Sequence, residues 1–89
     1  MSEVRENIAD QVIQIVASVL KLEQNQVTLD SSIHNTLNWD SLNHLRILTD
    51  IEEKYGCTLK IEEISNVECV RDWVDTIQRY QRNVRQNDK

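Results

Sequence analysis

The 89-residue chain contains no proline and a single glycine, Gly56. Tight hairpin turns depend on glycine and other turn residues, so their shortage argues against a fold built from β-hairpins. The chain also lacks an apolar run long enough to span a bilayer, and its first residues do not show the apolar stretch of a signal peptide. We therefore expect an all-α protein that works in the cytoplasm.

Metal-binding and redox motifs are missing as well. The two cysteines, Cys57 and Cys69, form no CxxC pair, and the two histidines, His34 and His44, lack the spacing of metal ligands. We expect both thiols to be reduced and to pack as small, mildly apolar side chains. The sequence predicts no metal site.

Basic side chains are scarce over most of the chain. Residues 1–70 carry 12 acidic and 5 basic side chains, whereas residues 71–89 carry 3 acidic and 5 basic ones, and the formal net charge is −5. Binding of nucleic acid requires clustered Lys and Arg, so we do not expect it here. Acidity of this kind suits protein partners with basic surfaces, although it serves solubility equally well.

The length of the chain allows one small domain with a modest core and leaves no room for a deep enzymatic cleft. We place this domain at residues 1–82 and expect it to be monomeric. The end of the chain mixes Arg and Lys with Asn and Gln. Residues 83–89 are therefore predicted to form a disordered tail.

The first half of the domain divides into a helix and a loop. Apolar residues three and four apart predict a helix over residues 3–20, with Ser2 as its N-cap. Residues 21–40 show no sustained period and are mostly polar. A loop of this length in a small domain is unusual and is often functional.

The second half contains three further predicted helices. Asp40 is the expected N-cap of the second, which begins at Ser41 and ends at Gly56, where glycine suits the left-handed position after a C-terminus. A single turn over residues 61–64 and a helix over residues 68–81 follow. The predicted fold is a four-helix bundle with a short third helix and a long first loop.

Ser41 is the candidate functional residue, because its hydroxyl lies where helix amides favour an anion such as a phosphodiester. Three roles are conceivable. His44 and Asp40 are near enough in sequence to suggest a nucleophilic serine, but a surface helix offers no oxyanion hole, so hydrolysis is rejected. A capping role is redundant with Asp40. The third role is covalent attachment of a group to Ser41, for which the Asp-Ser-Leu tripeptide alone is weak evidence.

Four segments, in this order and spacing, resemble the acyl carrier proteins and their phosphopantetheine-bearing relatives. The resemblance covers roughly residues 4–81. Its segments are TLDSSI at residues 28–33, DSL at 40–42, IEEKYG at 51–56 and VECVRDWV at 67–74.

The resemblance implies that Ser41, flanked by Asp40 and Leu42 of the attachment motif, carries 4′-phosphopantetheine. A partner phosphopantetheinyl transferase would transfer the group from coenzyme A with magnesium, and the protein would itself catalyse nothing. The thiol of the arm would carry acyl groups as thioesters between a loading synthetase, acyltransferases and condensing enzymes. Apolar residues that would face a cargo inside the bundle are equally well explained as core: Ile47, Ile51, Leu59, Ile64, Val67 and Trp73.

The surroundings of Ser41 depart from the pattern of the family. Trp39 precedes the motif where many members have glycine, and it would either pin the loop or contact the arm or a partner. Fatty-acid carriers usually have acidic residues at the positions of Asn43 and Arg46, and a basic partner surface would repel Arg46. We therefore expect a specialised pathway rather than bulk fatty-acid synthesis. The predicted partner-binding residues are Trp39, Asn43, Leu45, Arg46, Glu52 and Glu53.

Two other functions stay open at this point. An aminoacyl or peptidyl carrier, including a D-alanyl type, would share the same motif, because a separate activating enzyme selects the cargo. An unmodified helical interaction module would use Trp39, Leu42 and Leu45 as an apolar patch that faces a partner.

Overall fold

The computed structural model describes residues 7–87, and the side chains of residues 7–82. Within this range the fold is helical and has no strand, as the sequence predicts. Its elements are α1 (Ile8–Leu20), a 3-10 turn (Gln24–Gln26), α2 (Ser41–Tyr55), α3 (Ile61–Ile64) and α4 (Val70–Asn87).

Helix α1 begins at Ile8, five residues after the predicted start. Asn7 has extended backbone angles, and its side chain accepts a hydrogen bond from the amide of Asp10 at 2.8 Å. This local cap sets the start of the helix at Ile8, although the apolar period of the sequence continues upstream of it. The predicted cap Ser2 and residues 3–6 lie outside the described residues. At its other end, α1 stops at Lys21, which has a left-handed φ of 61°.

Helix α2 has the predicted bounds, because both of its ends are set by local chemistry. The extended Asp40 accepts a hydrogen bond from the amide of Asn43 at 2.9 Å. Gly56 has a φ of 62°, and its amide donates to the carbonyl of Glu52. Ile47 and Ile51 are completely buried on the inward face of the helix, whereas Leu48 is only half-buried.

The loop over residues 21–40 is fixed to the start of α4 by backbone hydrogen bonds. The first amides of a helix have no partner within the helix. Here two loop carbonyls accept hydrogen bonds from two of these amides. In a third bond, a loop amide donates to a carbonyl just before α4. The three bonds are Val70 N to Ser31 O at 3.0 Å, Arg71 N to Leu29 O at 3.0 Å, and Ile33 N to Glu68 O at 2.9 Å.

Helix α4 starts two residues after the predicted position and extends to Asn87, past the predicted end at residue 81. The Glu68 amide donates to the carboxylate of Asp72 at 3.0 Å, which closes the chain just ahead of this helix. The division into a domain over residues 1–82 and a tail over residues 83–89 stays a prediction.

The core lies where α1, α2 and α4 meet. Both tryptophans of the chain are buried in it, Trp73 completely and Trp39 to all but 4%. The buried apolar side chains are Val12, Val16, Ala17, Leu20, Val27, Trp39, Ile47, Ile51, Leu59, Val67, Val70, Trp73, Val74 and Ile77. Five of the six residues considered as cargo-facing belong to this set, and Ile64 is half-buried beside it.

Candidate functional site

Ser41 is the first residue of α2 and is exposed to solvent. The first backbone bond inside the helix runs from the His44 amide to the carbonyl of Asp40 at 2.8 Å. Helix geometry therefore leaves the amides of Ser41 and Leu42 without an intrahelical acceptor. The serine hydroxyl thus lies at the positive end of a fifteen-residue helix.

A phosphodiester on Ser41 fits these surroundings. The carboxylate of Asp40 is directed to the Asn43 amide, so one first-turn donor is already satisfied by the protein. The amides of Ser41 and Leu42 are the donors that an anion at this end would meet. Leu42 is 60% exposed, which leaves open space beside the serine.

Trp39 lies two residues before Ser41 and points into the core. Its 4% exposure contradicts the prediction that it contacts a partner, and it also removes Trp39 from the apolar patch of the interaction-module hypothesis. Its burial fits the alternative role, pinning the loop. Its indole Nε1 donates to Nδ1 of His44 at 3.0 Å.

His44 lies between the two tryptophans. Its ring centroid is 6.0 Å from that of Trp39, with the planes stacked, and 5.3 Å from that of Trp73, with the planes tilted. Burial lowers the pKa of His44 below its ordinary value. Because Nδ1 accepts the indole hydrogen bond, the neutral ring carries its proton on Nε2.

Two asparagines hold the backbone immediately before Ser41. Asn38 has a left-handed φ of 71°, and its side chain donates to the carbonyl of Leu20 at 2.9 Å. The side chain of Asn43 in turn donates to the carbonyl of Asn38 at 2.8 Å. Together these bonds connect the end of α1, the loop and the first turn of α2.

The contact by which Asn38 holds the loop to α1 was not predicted from the sequence. Asparagine tolerates left-handed backbone angles better than most residues, which was the available signal. Its partner carbonyl on Leu20 is eighteen residues away and could not be read from the sequence.

The predicted partner-binding residues of α2 separate into two groups. Leu45, Arg46 and Glu53 are exposed, Leu45 at 56%. Asn43 and Glu52 are half-buried and bound to the protein's own backbone, since Glu52 accepts a hydrogen bond from the Leu59 amide at 2.9 Å.

The exposed face of α2 continues directly from Ser41. Residues four apart lie on one ridge of a helix, so Leu45 follows Ser41 along the surface. Beside this ridge is a shallow, open depression of about 210 Å³. It is lined by Leu42, Leu45, Arg46, Thr49 and Asp50. This exposed face is therefore adjacent to the Ser41 hydroxyl.

Across residues 7–87, no helix is both long and apolar enough to cross a membrane.

Comparisons with known proteins show the family to which the chain belongs. Residues 10–77 match the family described as the phosphopantetheine attachment site. The chain is 34% identical to an acyl carrier protein of Rhodococcus erythropolis over 89% of this chain and 87% of the relative. It is 32% identical to one of Exiguobacterium sibiricum over 83% and 94%, respectively. It is also 40% identical to one of Treponema pallidum over 65% and 74%.

The match of residues 10–77 to the attachment-site family, together with the helical fold, identifies a phosphopantetheine-bearing carrier. The chain belongs to the acyl carrier protein family. Its cofactor is 4′-phosphopantetheine, bound covalently, and members of the family are non-catalytic carriers that interact with phosphopantetheinyl transferases and acyl-handling enzymes.

Proposed function

We propose that the chain carries acyl intermediates on a 4′-phosphopantetheine arm attached to Ser41, in a specialised biosynthetic pathway rather than in bulk fatty-acid synthesis. When attached, the arm supplies a thiol that forms thioesters. A dedicated transferase would install it from coenzyme A. The loading synthetase, acyltransferases and condensing enzymes would then act on its thiol.

The observation that carries the attachment site is the placement of Ser41. Ser41 is exposed, it is the first residue of α2, and it lies within the stretch matched by the family. Asp40 orders the first turn by capping it, and Leu42 stays exposed beside the hydroxyl, so a transferase has access from the open side. In this arrangement the protein contributes position and anion-binding amides, and it needs no catalytic group of its own.

The specialised pathway is supported by the exposed face of α2. Arg46 places a positive charge between the exposed Leu42 and Leu45 and the acidic Asp50. A partner with a basic docking surface would lose attraction at this position. We therefore propose that Leu45, Arg46 and Glu53 contact the partners, whereas Asn43 and Glu52 act at the edge of that surface.

We further propose that the carrier is a cytoplasmic monomer, because its donor, coenzyme A, and the enzymes that use it work in that compartment. Its carrier domain would comprise residues 1–82.

Incubation with a broad-specificity phosphopantetheinyl transferase, coenzyme A and magnesium tests the attachment. Intact-mass measurement is expected to show one added phosphopantetheine group on the wild type and none on Ser41→Ala. Ser18→Ala, which alters an exposed serine of α1, is the matched control and should be modified like the wild type. A wild type that stays unmodified, or an adduct that persists in Ser41→Ala, would refute the proposal.

The cargo is tested separately on the modified protein. Loading with acyl groups by acyl-activating enzymes supports an acyl carrier. Loading only by an aminoacyl-activating enzyme would instead identify an aminoacyl or D-alanyl-type carrier, with Ser41 still the attachment site.

A further inference from the structure

The segment that leads into Ser41 is held by three side-chain hydrogen bonds, and one of them includes a histidine, whose protonation can break it. Asn38 bonds to α1, and Asn43 bonds back to Asn38, both through amides that do not ionise. The third bond joins the indole of Trp39 to the imidazole of His44. Histidine is the only side chain whose ordinary pKa lies in this range.

We propose that His44 is a positioning residue for the attachment site: its neutral ring accepts the Trp39 hydrogen bond and holds residues 38–40 on the core, and its protonation releases this segment and slows transfer to Ser41. The inference rests on the proposed attachment at Ser41, and it adds a dependence on pH to that reaction.

The geometry allows only one protonation state to make this bond. Nδ1 of His44 accepts the indole proton at 3.0 Å, and a protonated Nδ1 would itself be a donor. Protonation therefore places two donors against each other. The indole of Trp39, buried to all but 4%, would be left without its acceptor, which is costly away from water.

The rings that pack against His44 carry no charge that would attract its protonated form. The loop presents Trp39 to it and α4 presents Trp73, and neither is charged. On its own helix, the carboxylate of Asp40 is directed to the Asn43 amide. Burial lowers the pKa of His44, so the folded protein binds this proton less readily than the unfolded chain. The contribution of His44 to stability is thus complete above about pH 6.5 and is lost as the pH falls below that value.

The bond itself is tested by NMR on the unmodified protein. The indole proton of Trp39, assigned by its loss in Trp39→Phe, should shift with the same midpoint as the His44 ring. In His44→Asn, whose side-chain oxygen replaces Nδ1 as acceptor, the indole proton should stay constant with pH. In Trp39→Phe, the His44 midpoint should rise, because the neutral ring loses its hydrogen bond. An indole proton that does not move while His44 titrates would overturn the inference.

The consequence for Ser41 is tested by the rate of phosphopantetheine transfer, with a single transferase between about pH 8 and about pH 5. Each protein's rate is divided by its own rate at the upper pH. The wild-type ratio is then divided by the His44→Asn ratio, which cancels the pH dependence of the enzyme. We expect this quotient to be about one-fifth at the lower pH. A fivefold change corresponds to the loss of one hydrogen bond.

Trp39→Phe provides the second variant, should the asparagine disturb the packing. Its pH dependence should match that of His44→Asn, because the sensitive bond is absent in both. Equal pH dependence of the wild type and both variants overturns the role of His44 and leaves attachment at Ser41 intact. A wild type that is not modified at any pH overturns both proposals.

Discussion

Arg46 places a positive charge on the exposed face of α2 next to Ser41. It lines the same depression as Leu42 and Leu45, and it forms no ion pair among the described residues. An unpaired cation on an acidic protein favours a partner that supplies a carboxylate at this point. It also disfavours enzymes whose docking surface is basic there.

Arg46→Glu should therefore improve recognition by enzymes of fatty-acid synthesis. The gain in kcat/KM for loading by their acyltransferase should be less than about fivefold, since an exposed charge contributes under about 1 kcal/mol, and it should shrink at high salt. Arg79→Glu makes the same charge change on an exposed position of α4 and should have no such effect. Unchanged kinetics at low salt would count against charge as the barrier.

Single residues near Ser41 show where prediction from the sequence ends. The cap at Asp40 was predictable because donor and acceptor lie three residues apart. The burial of Trp39 was left open between two roles, because it depends on α4 and on His44. The bond from Glu52 to the Leu59 amide also spans a turn whose geometry the sequence does not give.

At the scale of elements, the ends of α1 and α2 use the same backbone conformation with different residues. Lys21 and Gly56 have φ values of 61° and 62°, respectively. Glycine adopts this conformation freely, whereas other residues are strained there by the contact of Cβ with the backbone. Helix α1 therefore ends with a strain that α2 avoids.

Substitutions at the two ends should have opposite effects on stability. Lys21→Gly should raise the free energy of unfolding by roughly 0.5–1 kcal/mol, and Gly56→Ala should lower it by roughly 1 kcal/mol. An added Cβ at Gly56 meets no atom within 4 Å, so the cost there is purely conformational. Urea unfolding measures both variants, and a shift of the same sign in both would contradict this explanation.

The sequence predicted the ends of those helices whose caps lie within a few residues of the helix. The bounds of α2 and α3 agree with prediction, because their caps and turns lie within a few residues. The start of α1 was wrong, because the apolar period continues upstream of the cap at Asn7. The start of α4 was two residues early, because its first amides bond to a loop that lies far away in the sequence.

At the scale of the whole molecule, the polar loop acts as the N-terminal cap of α4. Ser31 and Leu29 provide the carbonyls for Val70 and Arg71, and Ile33 returns a bond to Glu68. The sequence indicated only that residues 21–40 lack a regular period. The loop is nevertheless part of the folded structure, because without it the first amides of α4 would lose their hydrogen-bond acceptors.

Amide hydrogen exchange should show this integration. The amides of Ile33, Val70 and Arg71 should exchange slowly and together, because all three open only when the loop separates from α4. The amide of His34, which bonds locally to the Ser32 hydroxyl at 3.1 Å, should exchange faster. Equal rates for Ile33 and His34 would show that the loop opens on its own.

The aromatic cluster has an optical consequence. Trp39 and Trp73 are the only tryptophans of the chain, and both lie against the ring of His44 on α2. All indole fluorescence of this protein therefore originates beside α2. We expect an enzyme or a cargo that disturbs this helix to change the emission, and stopped-flow fluorescence without an attached dye would then follow loading and docking.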